Sequence, residues 1–337
     1  MRKWVHHLLD SEDRVLKVLD GVTGGDCKIV AQSPLGGSGN MELKEVGQGI
    51  DWMSHRVRST FHDGVRSWPV GVFLFTSPTA HNTDFGVTFD VGLLTKMNVI
   101  AEDTVEDRYS VPAGMPIIGR VVTLIQSTGE TRIAVTDSAV TLTSGLTWEP
   151  GTSKLTIIND LLQAAGYWSL WCDGGGLFRV EPYVDPASRP VAHTFEHGEA
   201  SIYYPDWTHD QDLASVPNRV VAWREGDDEE PPLIGISTNE DPESAYSYQA
   251  RGRWITHVEE GVEAETQQVI DQFAARKLRD LMSPVSRLEV GHGMIPLDPN
   301  NLVEFIPADG RRRLATVQRM SINFAWDTDV DAEWREV

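Results

Sequence analysis

Short apolar stretches set apart by turn residues fill the first third of the chain, at intervals of roughly ten positions. That is the spacing of strands in a barrel or sandwich. Residues 14–19 and 27–31 are apolar runs, with Asp20-Gly21 and Gly24-Gly25-Asp26 between them and a Gly/Ser loop at 34–40. Residues 51–61 alternate, with Trp52, Val57 and Phe61 among polar neighbours, and His62-Asp63-Gly64 supplies a turn. Residues 70–75, Val-Gly-Val-Phe-Leu-Phe, have the length and apolarity of a buried strand, and 83–101 accommodates two more. A boundary is expected between Pro112 and Pro116, after which short apolar runs follow at 121–125 and 132–136.

The period then changes. Leu155, Ile158, Leu162 and Ala165 form one apolar stripe, which predicts a helix over 153–165. Thr152 or Ser153 can cap its start and Gly166 its end. Residues 167–172 and 177–181 are strands of a hairpin turning at Asp173-Gly174-Gly175-Gly176. Residues 184–190 contain Pro186 and Pro190 and read as a linker. In the last third, strands are expected at 219–224 and 232–237. A long helix is expected over 263–282, with Val269, Ile270, Phe273, Ala274, Leu278 and Leu281 on one face and Pro284 ending it. Strands at 301–306 and 314–324 close the chain around a turn at 308–310. The pattern predicts a mainly β protein with an α+β insert: a β domain over 1–113, a small α+β domain over 114–190, and a β domain with one long helix over 191–337.

Charge narrows the function. The 337 residues carry 29 basic and 50 acidic groups, a net −21. Residues 1–113 hold 11 basic and 15 acidic groups (−4), 114–190 hold 5 and 7 (−2), and 191–337 hold 13 and 28 (−15). So acidic a surface repels a nucleic-acid backbone, which argues against DNA binding and suits a wall that DNA passes without adhering. The N-terminus lacks the apolar stretch of a signal peptide, and no run approaches a membrane span, so no membrane insertion by this chain is expected.

Candidate chemistry is sparse. His193-Thr-Phe-Glu-His197 matches the H-x-x-E-H zinc motif, but Pro190, Gly198 and the alternation of Val191, His193 and Phe195 favour a strand over the helix that motif requires. Asp327, Asp329 and Asp331 resemble the start of a calcium loop, but Ala332 stands where glycine is needed, so 327–333 reads as a solvated acidic tail. Cys27 and Cys172 read as buried thiols. Asp227, Asp228, Glu229 and Glu230 form an acidic loop, and Arg311, Arg312 and Arg313 form a basic triplet that either meets a neighbouring acidic surface or opens a polar strand. No nucleophile elbow, phosphate loop or dinucleotide fingerprint is present, so no enzyme activity and no cofactor are expected.

Several stretches together resemble the minor tail proteins of siphophages that infect actinobacteria, in particular the hub-like member that closes the tail tube. They are Gly49-Ile-Asp-Trp-Met53, Trp68-Pro-Val-Gly-Val-Phe-Leu74, Ile157-Ile-Asn-Asp-Leu-Leu162, Gly166-Tyr-Trp-Ser-Leu170, Asp173-Gly-Gly-Gly176, Arg189-Pro190, Phe195-Glu-His-Gly-Glu199, 212–220 and Arg251-Gly-Arg-Trp-Ile255. The resemblance covers about residues 15 to 325. It implies two tube-like β-barrel domains flanking the small domain. It also implies a homotrimer that docks on the tail tube or distal tail ring beside tape-measure and tip proteins, located at the virion tail tip after assembly in the host cytoplasm. DNA would pass through transiently, without specific binding. On that footing Asp227 to Glu230 are candidate channel-lining residues and Arg311 to Arg313 candidate subunit contacts. Three copies at −21 each carry −63. The alternatives are a sixfold distal-tail ring, a host-receptor-binding tip protein or, with least support, a cell-wall hydrolase.

Overall fold

The computed structural model describes Met1 to Val337 apart from Gln32, 45–46, Phe85, 212–213, 227–230, 263–265 and 283–285, and only the backbone at Ala187 and Asp280. Strand makes up 45% of the residues and helix 15%, as a mainly β protein requires. The chain forms two compact units: Met1–Trp207 with Glu289–Val337, and Thr208–Leu288.

The first strands are β1 Lys3–Leu9, β2 Val15–Val18, β3 Val22–Val30, β4 Gly37–Lys44, β5 Arg56–His62, β6 Ser67–Phe75, β7 Thr79–Thr83 and β8 Gly86–Thr95, followed by α1 Met97–Glu102. They lie in the order β3-β4-β8-β6-β5-β1-β2, with β7 on β8, and every pairing is antiparallel. Alternation drives the faces: Met41 and Leu43 of β4, Phe61 of β5, and Val91 and Leu93 of β8 are buried between exposed or half-exposed neighbours. The glycine-rich stretches serve the β3–β4 pair, since a Cβ at Gly25 or Gly37 would run into the backbone of the facing strand. Residues 97–101, expected in a strand, form α1 instead. Met97 and Ile100 are buried three positions apart, which one helical turn places on the same side.

The middle segment contains β9 Tyr109–Val111, α2 Ile117–Ser127, β10 Ile133–Val135, β11 Leu146–Trp148, α3 Lys154–Ala164, β12 Trp171–Cys172 and β13 Phe178–Val180. α3 lies within one residue of its expected ends, and the Ser153 hydroxyl accepts the Leu155 N–H at its start. The run 121–125 belongs to α2, a helix the apolar pattern did not assign. Ile117, Ile118, Val121, Leu124 and Ile125 share its buried face and pack on α3.

β14 Val191–Glu196 and β15 Tyr203–Gln211 follow. The second unit contains β16 Arg219–Arg224, β17 Leu233–Thr238, α4 Tyr248–Arg251, β18 Thr256–Glu260 and α5 Gln267–Leu281. α5 covers most of the expected 263–282; residues 263–265 and Pro284 lie outside the described residues. Its Ile270, Ala274 and Leu278 pack on Val220 and Ala222 of the sheet β17-β16-β18. Approach is closest at Gly235, where a Cβ would collide with the Ile270 carbonyl. On the opposite face Ile236, Val221 and Val258 stand directly across from one another, with Ile236 59% and Val258 51% exposed.

The chain then returns through β19 Ser286–Gly293, β20 Leu302–Ile306, β21 Arg313–Asn323 and β22 Asp329–Glu336. The order β15-β19-β22-β21 continues into β3, because Arg319–Asn323 of β21 pairs with Val30–Asp26, and one 14-stranded sheet results. β20 pairs with β21, and β14 runs parallel to β20. The segment 327–333, expected as a solvated tail, instead enters the interior strand β22. Val330, Ala332 and Trp334 alternate into the core, and Trp334 is fully buried against Phe195, His292 and Phe305.

Candidate functional site: assembly surfaces and the contacts that fix them

The sheet path ends at β2, which among the described residues pairs only with β1. All four residues of β2 are exposed, and Val15, Leu16 and Val18 each show about half of their surface. Lys17 donates to the Gln48 carbonyl and anchors the strand from one side. An edge strand offers backbone N–H and C=O groups that another chain can pair with; here the edge is apolar and free of proline, and its register with β1 shifts at Leu8/Leu9, leaving Leu16 opposite no residue of β1. β7, also exposed throughout, is a second free edge.

Of the residues singled out in sequence, Asp227, Asp228, Glu229 and Glu230 lie outside the described residues. Arg311, Arg312 and Arg313 sit at the β20–β21 turn with different engagements. Arg313 is largely buried, pairs with Asp309 at 2.9 Å and lies 3.7 Å from Glu336, with its guanidinium over the Trp207 ring. Its hydrogen bond, with help from the Arg311 N–H, pulls the Asp309 carboxyl down to about 2. Arg312 pairs with Glu304 yet keeps 66% of its side chain exposed. Arg311 is exposed and uses its backbone N–H on Asp309. The turn therefore presents Arg311 and Arg312 outward and holds Arg313 inward.

Unit 1 also holds a buried charge network that no sequence motif marks. Lys96, between β8 and α1, is fully buried, with Nζ 2.5 Å from Asp13 Oδ2 and 2.7 Å from Glu130 Oε2. It also donates to the Gly176 carbonyl at 3.0 Å and stands over the Phe178 ring. Arg56 Nη1 and Nη2 lie 2.8 Å from Asp13 and Glu130 on the opposite side. Two cations and two anions thus alternate in a closed square, and Arg132 approaches Asp13 at 3.6 Å. Asp13 comes from the β1–β2 turn, Arg56 from β5, Glu130 from the end of α2 and Gly176 from the hairpin. The square therefore ties the β1–β2 turn and β5 to the residues that follow α2 and to the hairpin, all within unit 1. No local spacing reveals it, since the four partners span residues 13 to 130; the one sequence signal is a lysine set in the apolar run Leu93-Leu94-Thr95-Lys96-Met97.

The H-x-x-E-H segment sits on β14, with His193 against the Phe195 ring and His197 beyond the strand end, 3.5 Å from the Tyr203 hydroxyl. Among the described residues no group of three His, Cys, Asp or Glu is arranged to hold a metal. Cys27 is buried in β3, and burial pushes the Cys172 thiol up to about 12 against the pull of Lys96. No described helix is long and apolar enough to cross a membrane.

The fold is shared with solved structures of tail proteins. The tail protein of Neisseria meningitidis MC58 superposes with a TM-score of 0.69 over 99% of this chain and 97% of its own, at 12% identity. The 43 kDa tail protein of prophage MuSo2 from Shewanella oneidensis gives 0.70 over 99% and 98%, again at 12% identity. An Escherichia coli type VI secretion component, described as structurally similar to tail proteins of bacteriophage T4, gives 0.52 over 95% of this chain and 74% of its own, at 10% identity. No protein-family model matches the sequence, and no curated protein matches it either.

Proposed function

We propose that this chain is a structural, non-enzymatic hub of a siphophage tail tip, three copies of which form a ring that continues the tail tube and lets DNA pass at ejection. The observation that carries this reading is the near-complete superposition on two tail proteins, which spans both units. The half-exposed apolar edge β2, the outward Arg311 and Arg312, and the cross-strand row Ile236, Val221 and Val258 are surfaces suited to burial against neighbouring subunits. The acid excess of 191–337, including Asp227 to Glu230, suits a lumen that repels the DNA backbone. The siphophage class and the actinobacterial host rest on the sequence resemblance.

Copy number in purified tails tests the proposal. Quantitative mass spectrometry is expected to give three chains for each sixfold layer of tube protein. Six chains would instead support a distal-tail ring, and a protein absent from tails would end the proposal. Leu16→Glu tests the edge. A half-exposed site tolerates the change within about 0.5 kcal/mol, so melting of the isolated chain should be unchanged. Incorporation into tails should fall at least about tenfold, the loss expected from about 1.4 kcal/mol of contact. Normal incorporation would remove β2 from the interface.

A further inference from the structure

The three-stranded sheet of unit 2 is covered by α5 on one side only. Its opposite face is built of three cross-strand rows. Ile236, Val221 and Val258 form an apolar centre; Ile234, Trp223 and Glu260 flank it on one side, and Thr238, Arg219 and Thr256 on the other. Ile234, Ile236 and Val258 each show about half or more of their surface. Arg219 is held in place. Its Nε donates to the Thr256 hydroxyl at 2.8 Å, its guanidinium lies 4.9 Å over the Trp254 ring, and Trp254 stacks on Tyr248 at 4.5 Å. His257 and Lys277 both engage Glu259, on the α5 side, and neither Arg219 nor Glu260 has an ion-pair partner among the described residues. The outer face thus carries a free cation in one flanking row and a free anion in the other, with the apolar row between them.

We propose that this face packs on the same face of a second copy of the chain, about a twofold axis that runs along the central row. Turning one sheet over about that axis lays Ile236, Val221 and Val258 on their own counterparts and exchanges the flanking rows. The strands stay aligned, as in a two-sheet sandwich. Arg219 then meets the ring of the second copy's Trp223, and the second copy's Glu260 comes to lie over Thr256, one strand away from Arg219. A guanidinium fixed by stacking and one hydrogen bond keeps its terminal amines for such a carboxylate. The contact is made twice, so each copy supplies one cation and one anion. Turning about the strand direction would instead place Ile234 on Glu260 and bury a carboxylate against an apolar side chain. Three strands about 4.8 Å apart and five residues of about 3.3 Å span roughly a few hundred Å2. That is below the roughly 800 Å2 per partner of a standard stable complex, so the pairing is weak, with an expected Kd between about 10 μM and 1 mM. A twofold contact cannot close within a ring of three. It joins copies of separate rings or chains not yet assembled, and it is independent of the annular reading.

Sedimentation velocity of the full chain across that concentration range tests the pairing by charge exchange. Arg219→Glu and Glu260→Arg should each weaken self-association at least about tenfold. Mixed one to one, they should associate within about threefold of the parent Kd, because each supplies the charges that the other lacks. An unchanged Kd in Glu260→Arg, or a mixture no tighter than either variant alone, would overturn the proposal. If Arg219→Glu does not fold, cross-linking of Ile236→Cys with a short bis-maleimide decides. A residue on the twofold axis meets its own counterpart, so this variant should give covalent dimers that Glu260→Arg suppresses. The parent, whose Cys27 is buried and Cys172 half-buried, should give none. Absence of dimers from Ile236→Cys would sink the pairing. So would a parent that stays monomeric while Glu260→Arg is lost from tails, a result that would assign the face to a different tail protein.

Discussion

Lys96→Met is expected to destabilise unit 1 by about 3–5 kcal/mol, the range found when one member of a buried ion pair is removed. Lys96 is 0% exposed, and its ammonium is shared between Asp13 and Glu130. Without it, two carboxylates remain buried around Arg56, with Arg132 at 3.6 Å from only one of them. The Gly176 carbonyl also loses its donor, which adds an unsatisfied acceptor in the hairpin that meets the first β domain. Loss on this scale rivals the whole stability of an ordinary domain, about 5–15 kcal/mol.

The square also predicts a rescue. Lys96→Met combined with Glu130→Gln removes one charge of each sign and leaves Arg56 paired with Asp13. At least half of the lost stability should therefore return, a coupling of about 1–3 kcal/mol between touching sites. Urea melts followed by near-UV circular dichroism measure both variants. A midpoint within error of the parent for Lys96→Met, or purely additive losses in the pair, would show that the square does not hold these elements of unit 1 together.

Sequence pattern located the parts of this protein whose signal is local. The α3 stripe from Leu155 to Ala165, the hairpin turn at 173–176 and the closing strands around 308–310 all lie where periodicity and turn chemistry put them. It missed elements whose signal is long-range. Residues 327–333 look like a charged tail because Asp327, Asp329 and Asp331 dominate the window. What makes them a strand is the partner residues Ala315–Ile322 of β21, which bury every second side chain. The charge square is illegible for the same reason: Asp13, Arg56, Lys96 and Glu130 are ordinary surface residue types until the sheet and α2 bring them together. The Arg311–Arg313 triplet was visible, but its division into two outward arginines and one held by Asp309 depends on the turn geometry.

Acid should destabilise unit 1 before most of its carboxylates titrate, because the unit buries two neutral histidines. His6 lies among Trp4, Phe61 and Phe324 near the Ser59 hydroxyl, and burial lowers it from 6.5 to about 4, with His7 contributing. His292 lies between Phe195 and Trp334, donates from Nδ1 to the Gly293 carbonyl, and leaves Nε2 without a donor. Burial lowers it to about 4 as well. The sign follows from proton counting. Between pH 6.5 and 4 the unfolded chain binds a proton at each histidine that the folded chain refuses, so stability is full above 6.5 and falls as the pH drops, levelling off below about 4. Each histidine contributes a slope approaching 1.4 kcal/mol per pH unit and a limiting loss of about 3 kcal/mol. Asp298, raised by burial, acts in the opposite direction, since the folded state takes up its proton more readily. Chemical melts at several pH values between 7 and 4 should show the combined slope, and His292→Phe, an aromatic in an aromatic cluster, should remove about half of it. A parent whose stability is flat across that window, or a His292→Phe variant that keeps the full slope, would mean that water or a rearranged core accommodates the imidazolium inside the sheet.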